Sequence, residues 1–203
     1  MAKTLPIVQL GHPILRQPAR DVTAAELAEP KMKTLLAAMK ATMRKVPGVG
    51  LAAPQVGLGL RLAVIEDVPA DDDDELTREA RATREREAVP FHVLVNPVLT
   101  IEDDTPIRHF EGCLSLTGFV AIVARAHAVR VDCLDEHGAP RTIRASGWYA
   151  RILQHEIDHL NGTVYVDRME PRTFMSADDL DEHWSGHEVE QVRTALDAPR
   201  RPV

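Results

Sequence analysis

The chain reads as a mixed protein of helices and strands on three observations. Apolar residues recur at three- and four-residue steps over Ala24–Lys45 and again over 147–161, the spacing of an amphipathic helix. Short runs rich in Val, Ile and Leu fill the sequence between those segments. Two of the runs are joined by Asp135-Glu136-His137-Gly138, which has the composition of a hairpin turn. At 203 residues the chain fits one domain, 1–203, with enough length to bury a sizeable core. Aromatic residues make up only 4% of it, so that core rests on Leu, Val, Ile and Ala.

Taken in order, Leu5–Arg20 carries three prolines and a glycine and reads as an extended, turn-rich lead-in, with His12 a turn or surface residue. The N-terminal helix follows over Ala24–Lys45, with Asp21 or Thr23 as cap, Met32, Met39 and Met43 as core filler, and Pro47 and Gly48 as its stop. Gly48–Gln55 is too small and irregular for a standard helix or strand, and it lets a backbone approach another group closely. A strand is expected at Leu60–Glu66. Residues 67–89 are highly charged and nearly free of large apolar groups, which predicts an exposed insertion, part loop and part solvated helix. Further strands are expected at Phe91–Ile101 with a break at Asn96-Pro97, at Val120–Val123, at Ala128–Leu134 and at Pro140–Arg144. Cys133 falls among apolar strand residues and reads as buried. Over 147–161, Trp148, Ile152, His155 and His159 form one stripe of a central helix that Gly162 stops. Thr163–Val166 reads as a short strand. The tail, 176–203, is expected to be helical, capped at Ser176 and helical again around His187–Leu196, with His183 and His187 left as surface residues.

Composition removes several function classes. A net charge of −7 argues against a broad nucleic-acid-binding surface. No apolar run approaches the roughly 18 residues of a membrane span, and Met1–Pro6 lacks the apolar core of a secretion signal. Two cysteines, Cys113 and Cys133, are too few for a disulfide framework. A cytoplasmic enzyme is the expectation.

The chemistry concentrates in Gln154-His155-Glu156-Ile157-Asp158-His159-Leu160-Asn161-Gly162. Two histidines four apart on a helix lie one turn apart on one face, where both can grip one metal ion. Glu156 lies beside them, placed to take a proton from a water on that ion. A catalytic metal needs a third protein ligand. The continuation in which a third histidine follows Gly162 places Tyr165 there, so it fails. Upstream, Glu111-Gly112-Cys113-Leu114-Ser115 offers Cys113, a soft thiolate donor.

Three motifs, Gly48-Val49-Gly50-Leu51-Ala52-Ala53-Pro54-Gln55, Glu111–Ser115 and Gln154–Gly162, stand in the order found in the peptide deformylase family, which the chain resembles from about Leu5 to Met169. The resemblance implies an α+β fold, with small antiparallel β-sheets packed around a central metal-binding α-helix, an N-terminal helix and a C-terminal helix. It implies one divalent metal ion per chain, Fe(II) or Zn(II), held by Cys113, His155 and His159, with Glu156 as general base and acid. Gln55 and the Leu114 N–H would face the developing oxyanion. Val49, Gly50, Glu111, Gly112, Arg125, Trp148 and Ile152 would serve the substrate cleft or support it, and Arg151 would shape its rim. The expected reaction removes the formyl group from the formyl-methionine of new polypeptides, working near the ribosome. Thr117 departs from a usual proline, and the insertion at 67–89 exceeds what a minimal member needs. Two rivals remain: a zinc endopeptidase, and a closed metal module with a fourth protein ligand.

Overall fold

The computed structural model describes residues 3–46, 48–68 and 81–197. Residues 69–80 of the charged stretch, Pro47 and the last six residues of the tail lie outside the described residues.

The single helix expected over Ala24–Lys45 is two, α1 (Ala24–Ala28) and α2 (Pro30–Lys45). Pro30 causes the break, because its ring drives the preceding residue out of the helical region and Glu29 sits at φ −72, ψ 143. Thr23 caps α1: its Oγ1 accepts from the Glu26 N–H while Glu26 Oε2 accepts from the Thr23 N–H. The buried face of α2 carries Met32, Leu36, Met39 and Met43.

Six strands follow the antiparallel order β1 (Gly50–Ala52), β2 (Leu62–Asp67), β3 (Val89–Cys113), β4 (Leu116–Leu134) and β5 (Pro140–Ser146), and β6 (Met175–Ser176) pairs with β4. The small sheets of the expectation are joined into one because β3 and β4, 25 and 19 residues long, carry the pairing from end to end. Two expected gaps are therefore closed. Asn96-Pro97 is a bulge, where the register jumps between Val95 and Val98. Pro97 has no N–H for the ladder. Asn96 turns to φ 51 and clamps Val22, accepting from its N–H and donating to its carbonyl. Gly48–Gln55 is also more regular than expected, since Gly50–Ala52 pairs with Ala63–Ile65 and Ala53–Val56 is a 3-10 turn.

Alternation then sorts the core into two layers. Leu62, Val64, Val93 and Val95 pack on α2, whereas Ala63, Ile65 and Leu94 pack on Ile152, Leu153, Ile157 and Leu160 of α3 (Gly147–Leu160). Burying one such side chain contributes about 1.5–3 kcal/mol, so the sheet fixes both helices. Thr163–Val166 is not a strand: Val164 donates to the Asp167 carboxylate and Tyr165–Asp167 closes a 3-10 turn. The tail is helical as expected, with α4 (Ala177–Trp184) capped by Ser176 and α5 (Val189–Asp197) beyond it.

Gly162 ends the helix at φ +74, and a Cβ on it would lie 2.9 Å from the backbone of Arg16 and Gln17. Gly162→Ala should cost about 1–3 kcal/mol in chemical denaturation. Gly59→Ala, where an added Cβ meets nothing within 4 Å, is the matched control. An equal loss in both variants would contradict the packing argument.

Candidate metal centre

The helix brings His155 and His159 together with ring centres 5.1 Å apart. Cys113 comes from the far end of β3, at the tight connection where Cys113 pairs with Leu116. Donor atoms of the three residues lie within 4.8 Å of one another, with Cys113 Sγ 3.2 Å from His159 Nε2. This is the one such cluster of three or more among the described residues. A thiol and two imidazoles, converging with a fourth direction left to the cleft, suit a divalent ion of borderline softness.

Glu156 supports the same conclusion. It is 4% exposed, and its Oε2 is buried with no hydrogen-bond partner in the protein. Burial pushes its carboxyl up to about 7, the positive charge of His155 opposing and Glu111 adding to the rise. A carboxylate this costly to bury is kept for a proton or a cation. Gly50 leaves room for it, because a Cβ at that position would overlap the Glu156 carboxyl.

His155 is aimed from behind. Its Nδ1–H donates to Glu111 Oε2 at 3.0 Å, which leaves Nε2 for the cluster. Glu111 in turn accepts two bonds from Arg125, both 2.9 Å, and one from Arg151 at 2.5 Å. Burial alone would raise the Glu111 carboxyl, but the Arg125 and His155 bonds outweigh it and hold the group well below the usual carboxylate range. For His159 burial dominates and holds the group well below the usual imidazole range, so its ring stays neutral and keeps a lone pair to offer.

The expected oxyanion donors sit on two other segments. The amide of Gln55 is oriented because its Oε1 accepts from the Ala52 N–H at 2.8 Å. Its Nε2 donates to Cys113 Sγ at 3.5 Å and lies at a long 3.4 Å from Ser115 Oγ, which leaves one N–H available to a better acceptor. Leu114 lies between Cys113 and Leu116, and its carbonyl accepts from Gln9 Nε2 at 3.1 Å. Thr117, at the unusual position, also faces Gln9: its N–H and hydroxyl lie 3.5 and 3.4 Å from Gln9 Oε1.

A cleft of about 720 Å³ opens over these groups, lined among others by Val49, Gly50, Gly112, Trp148, Ile152 and Arg151. Arg125 does not reach it. The residue is buried behind the helix between Glu111 and Asp158, so of its two expected roles the structure shows support and not cleft contact. Glu111 borders the cleft, yet its carboxylate is spent on protein partners. Asp158 was missed by sequence reasoning: it accepts from Arg125 Nη1 at 2.5 Å and from both arms of Arg168 at 2.7 Å. No spacing rule signals a partner as far along the chain as Arg125. Tyr165, where the endopeptidase pattern needs a histidine, is buried and donates its hydroxyl to the Phe119 carbonyl. Cys133 is buried in β4, and His12, His183 and His187 belong to no such cluster among the described residues.

Known proteins resemble this chain. A family profile described as polypeptide deformylase matches residues 4–175. Peptide deformylase 3 of Streptomyces avermitilis is 45% identical over 192 residues, covering 95% of this chain and 83% of that one. The chloroplastic peptide deformylase 1A of Solanum lycopersicum is 42% identical over 175 residues, and the match spans 86% of this chain and 63% of the plant protein. A Met-Ala-Ser-bound crystal structure of the class I type b peptide deformylase from Acinetobacter baumannii superposes with a TM-score of 0.73 at 33% identity, covering 83% of this chain and all of that one. Fold, donor cluster and these likenesses agree, and the chain belongs to the polypeptide deformylase family, metal-dependent hydrolases that remove the N-terminal formyl group from new polypeptides.

Proposed function

We propose that Cys113, His155 and His159 hold the metal and that Glu156 moves the proton as this chain hydrolyses the formyl amide of formyl-methionyl polypeptides. The observation that carries the reading is the buried, unpartnered Glu156 carboxylate beside three converging donors at the floor of an apolar cleft. When bound, the divalent ion polarises the formyl oxygen and acidifies a water. Glu156 accepts the proton from the attacking water and later delivers it to the departing amine, so formate and a free N-terminus result. Gln55 Nε2–H and the Leu114 N–H donate to the developing oxyanion, each donor contributing about 10²–10³ in rate. Val49, Trp148 and Ile152 receive the methionine side chain. Gly50 and Gly112 line the cleft, and Gly50 leaves room beside it for the Glu156 carboxylate. Glu111 and Arg125 act from behind by fixing His155.

Fe(II) is proposed as the working ion, with Zn(II) binding at least as tightly. The proposed substrate is the nascent chain, met close to the ribosome, and the proposed compartment is the cytoplasm. No helix among the described residues is long and apolar enough to cross a membrane.

Formate release from a formyl-Met-Ala-Ser peptide is the deciding assay. Glu156→Ala should retain metal while losing about 10²–10⁴ in rate, and near-wild-type turnover would remove Glu156 from the mechanism. Glu111→Gln should weaken metal binding about 10–100-fold in a chelator competition; unchanged affinity would show that His155 needs no such support. Metal analysis of anaerobically purified protein, with turnover per ion, should favour iron, and equal turnover of the zinc form would reverse that choice.

A further inference from the structure

The charged stretch expected to be a solvated excursion is, at residues 84–86, built into the start of the metal helix. Ser146 precedes α3 but makes no side-chain cap. Instead the Arg84 carbonyl accepts from the Trp148 N–H at 3.1 Å, one of the amides that a helix start leaves without an internal partner. The Arg84 and Arg86 guanidiniums each lie 5.4 Å from the centre of the Trp148 indole. Arg86 is itself anchored by two 2.8 Å bonds to Asp67, a carboxylate 2% exposed at the end of β2. Between them Glu85 sits at φ 48, a conformation a non-glycine residue holds only when its surroundings impose it. His127 of β4 faces it, with Nε2 3.1 Å from the Glu85 carboxylate and Nδ1 3.0 Å from Asp103. Gly147, at φ +56, receives the segment: a Cβ there would lie 2.5 Å from Glu85 Cβ. Two left-handed residues fitted against each other make a docked surface.

The indole they hold lines the cleft next to Ile152. A pocket separates side chains differing by one small group by only about 10- to 200-fold, and by less when a wall yields. A tryptophan on the first turn of a helix is a wall that yields unless something pins it. We infer that Arg84 and Glu85, with His127 behind them, are positioning residues that hold Trp148 and thereby set selectivity for the first side chain of the substrate. The inference rests on the deformylase reading for the identity of that side chain.

Arg84→Ala and His127→Ala each loosen the docking while leaving every metal ligand and Glu156 in place. In a Trp184→Phe background, Trp148 is the only tryptophan. On metal-loaded protein, affinities for the product peptides Met-Ala-Ser and Leu-Ala-Ser are read by calorimetry, beside kcat and KM for their formylated forms. Both variants should shift Trp148 emission and lower the preference for methionine over leucine about three- to five-fold, through KM with kcat within about two-fold. Unchanged preference in both variants overturns the inference, whether or not emission moves. So does a fall in kcat at constant KM, the mark of a general structural loss. Wild-type protein that releases no formate would refute the activity reading instead, and the product affinities would still decide the role of the segment.

Discussion

The carboxylate of Glu111 holds three partners at once, Arg125, Arg151 and His155, in a place 5% exposed. Such a charge is tolerable only when every lone pair is taken, and removing one partner of a buried pair costs about 3–5 kcal/mol. Asp158 continues the chain of charges on the other side of Arg125, and Arg168 carries it to the surface. The network joins β3, β4 and α3 by bonds whose directions are fixed. Apolar packing between the same elements fixes their distance but leaves them free to slide. What Glu111 adds is the rotation of the His155 ring, and a metal ligand is useful only at the right rotation.

The sheet supplies the other half of that constraint. Its faces are buried on opposite sides by α2 and α3, so β2 and the Val93–Val95 stretch of β3 have no solvent face through which to relax. Close packing transmits strain, and the positions nearest the chemistry have no slack. Gly50 against Glu156, Gly147 against Glu85 and Gly162 against the Arg16–Gln17 backbone are three points where one added carbon has nowhere to go.

Much of this was legible from residue order. Three- and four-residue periodicity found α2 and α3, and H-E-x-x-H placed two histidines on one helix face because it is a local pattern with a direct geometric meaning, whereas Cys113 joined them only through the family resemblance. Most of the errors share a cause. Pro30 was passed over as a helix break although its effect on Glu29 is local, and Asn96-Pro97 was read as an interruption of a strand that merely bulges, since Val22 reaches Asn96 from 74 residues away. Residues 84–86 looked like solvent-facing charge because nothing in their spacing shows that Trp148 and His127 receive them. Arg125 and Asp158 were likewise invisible as a pair, for ion pairs between distant segments leave no period. Local signals located the reactive groups, and long-range polar contacts decided how those groups are held.

The lead-in shows how far that second kind of information reaches. The two proposed oxyanion donors come from separate segments, Gln55 after β1 and Leu114 at the β3–β4 connection, and neither segment fixes the other by itself. The N-terminal stretch ties them: the Val8 N–H donates to the Gln55 carbonyl at 2.9 Å, and the Leu10 N–H donates to the Ser115 carbonyl at 2.7 Å. Gln9, between them, adds its bond to the Leu114 carbonyl. Consecutive residues of an extended chain are about 3.3–3.6 Å apart, so a strap of three residues sets the separation of its two anchor points closely. Preorganised donors act because they need not move when charge develops. A segment that reads as a turn-rich leader is therefore the spacer of the site, and its extended shape is what makes it one.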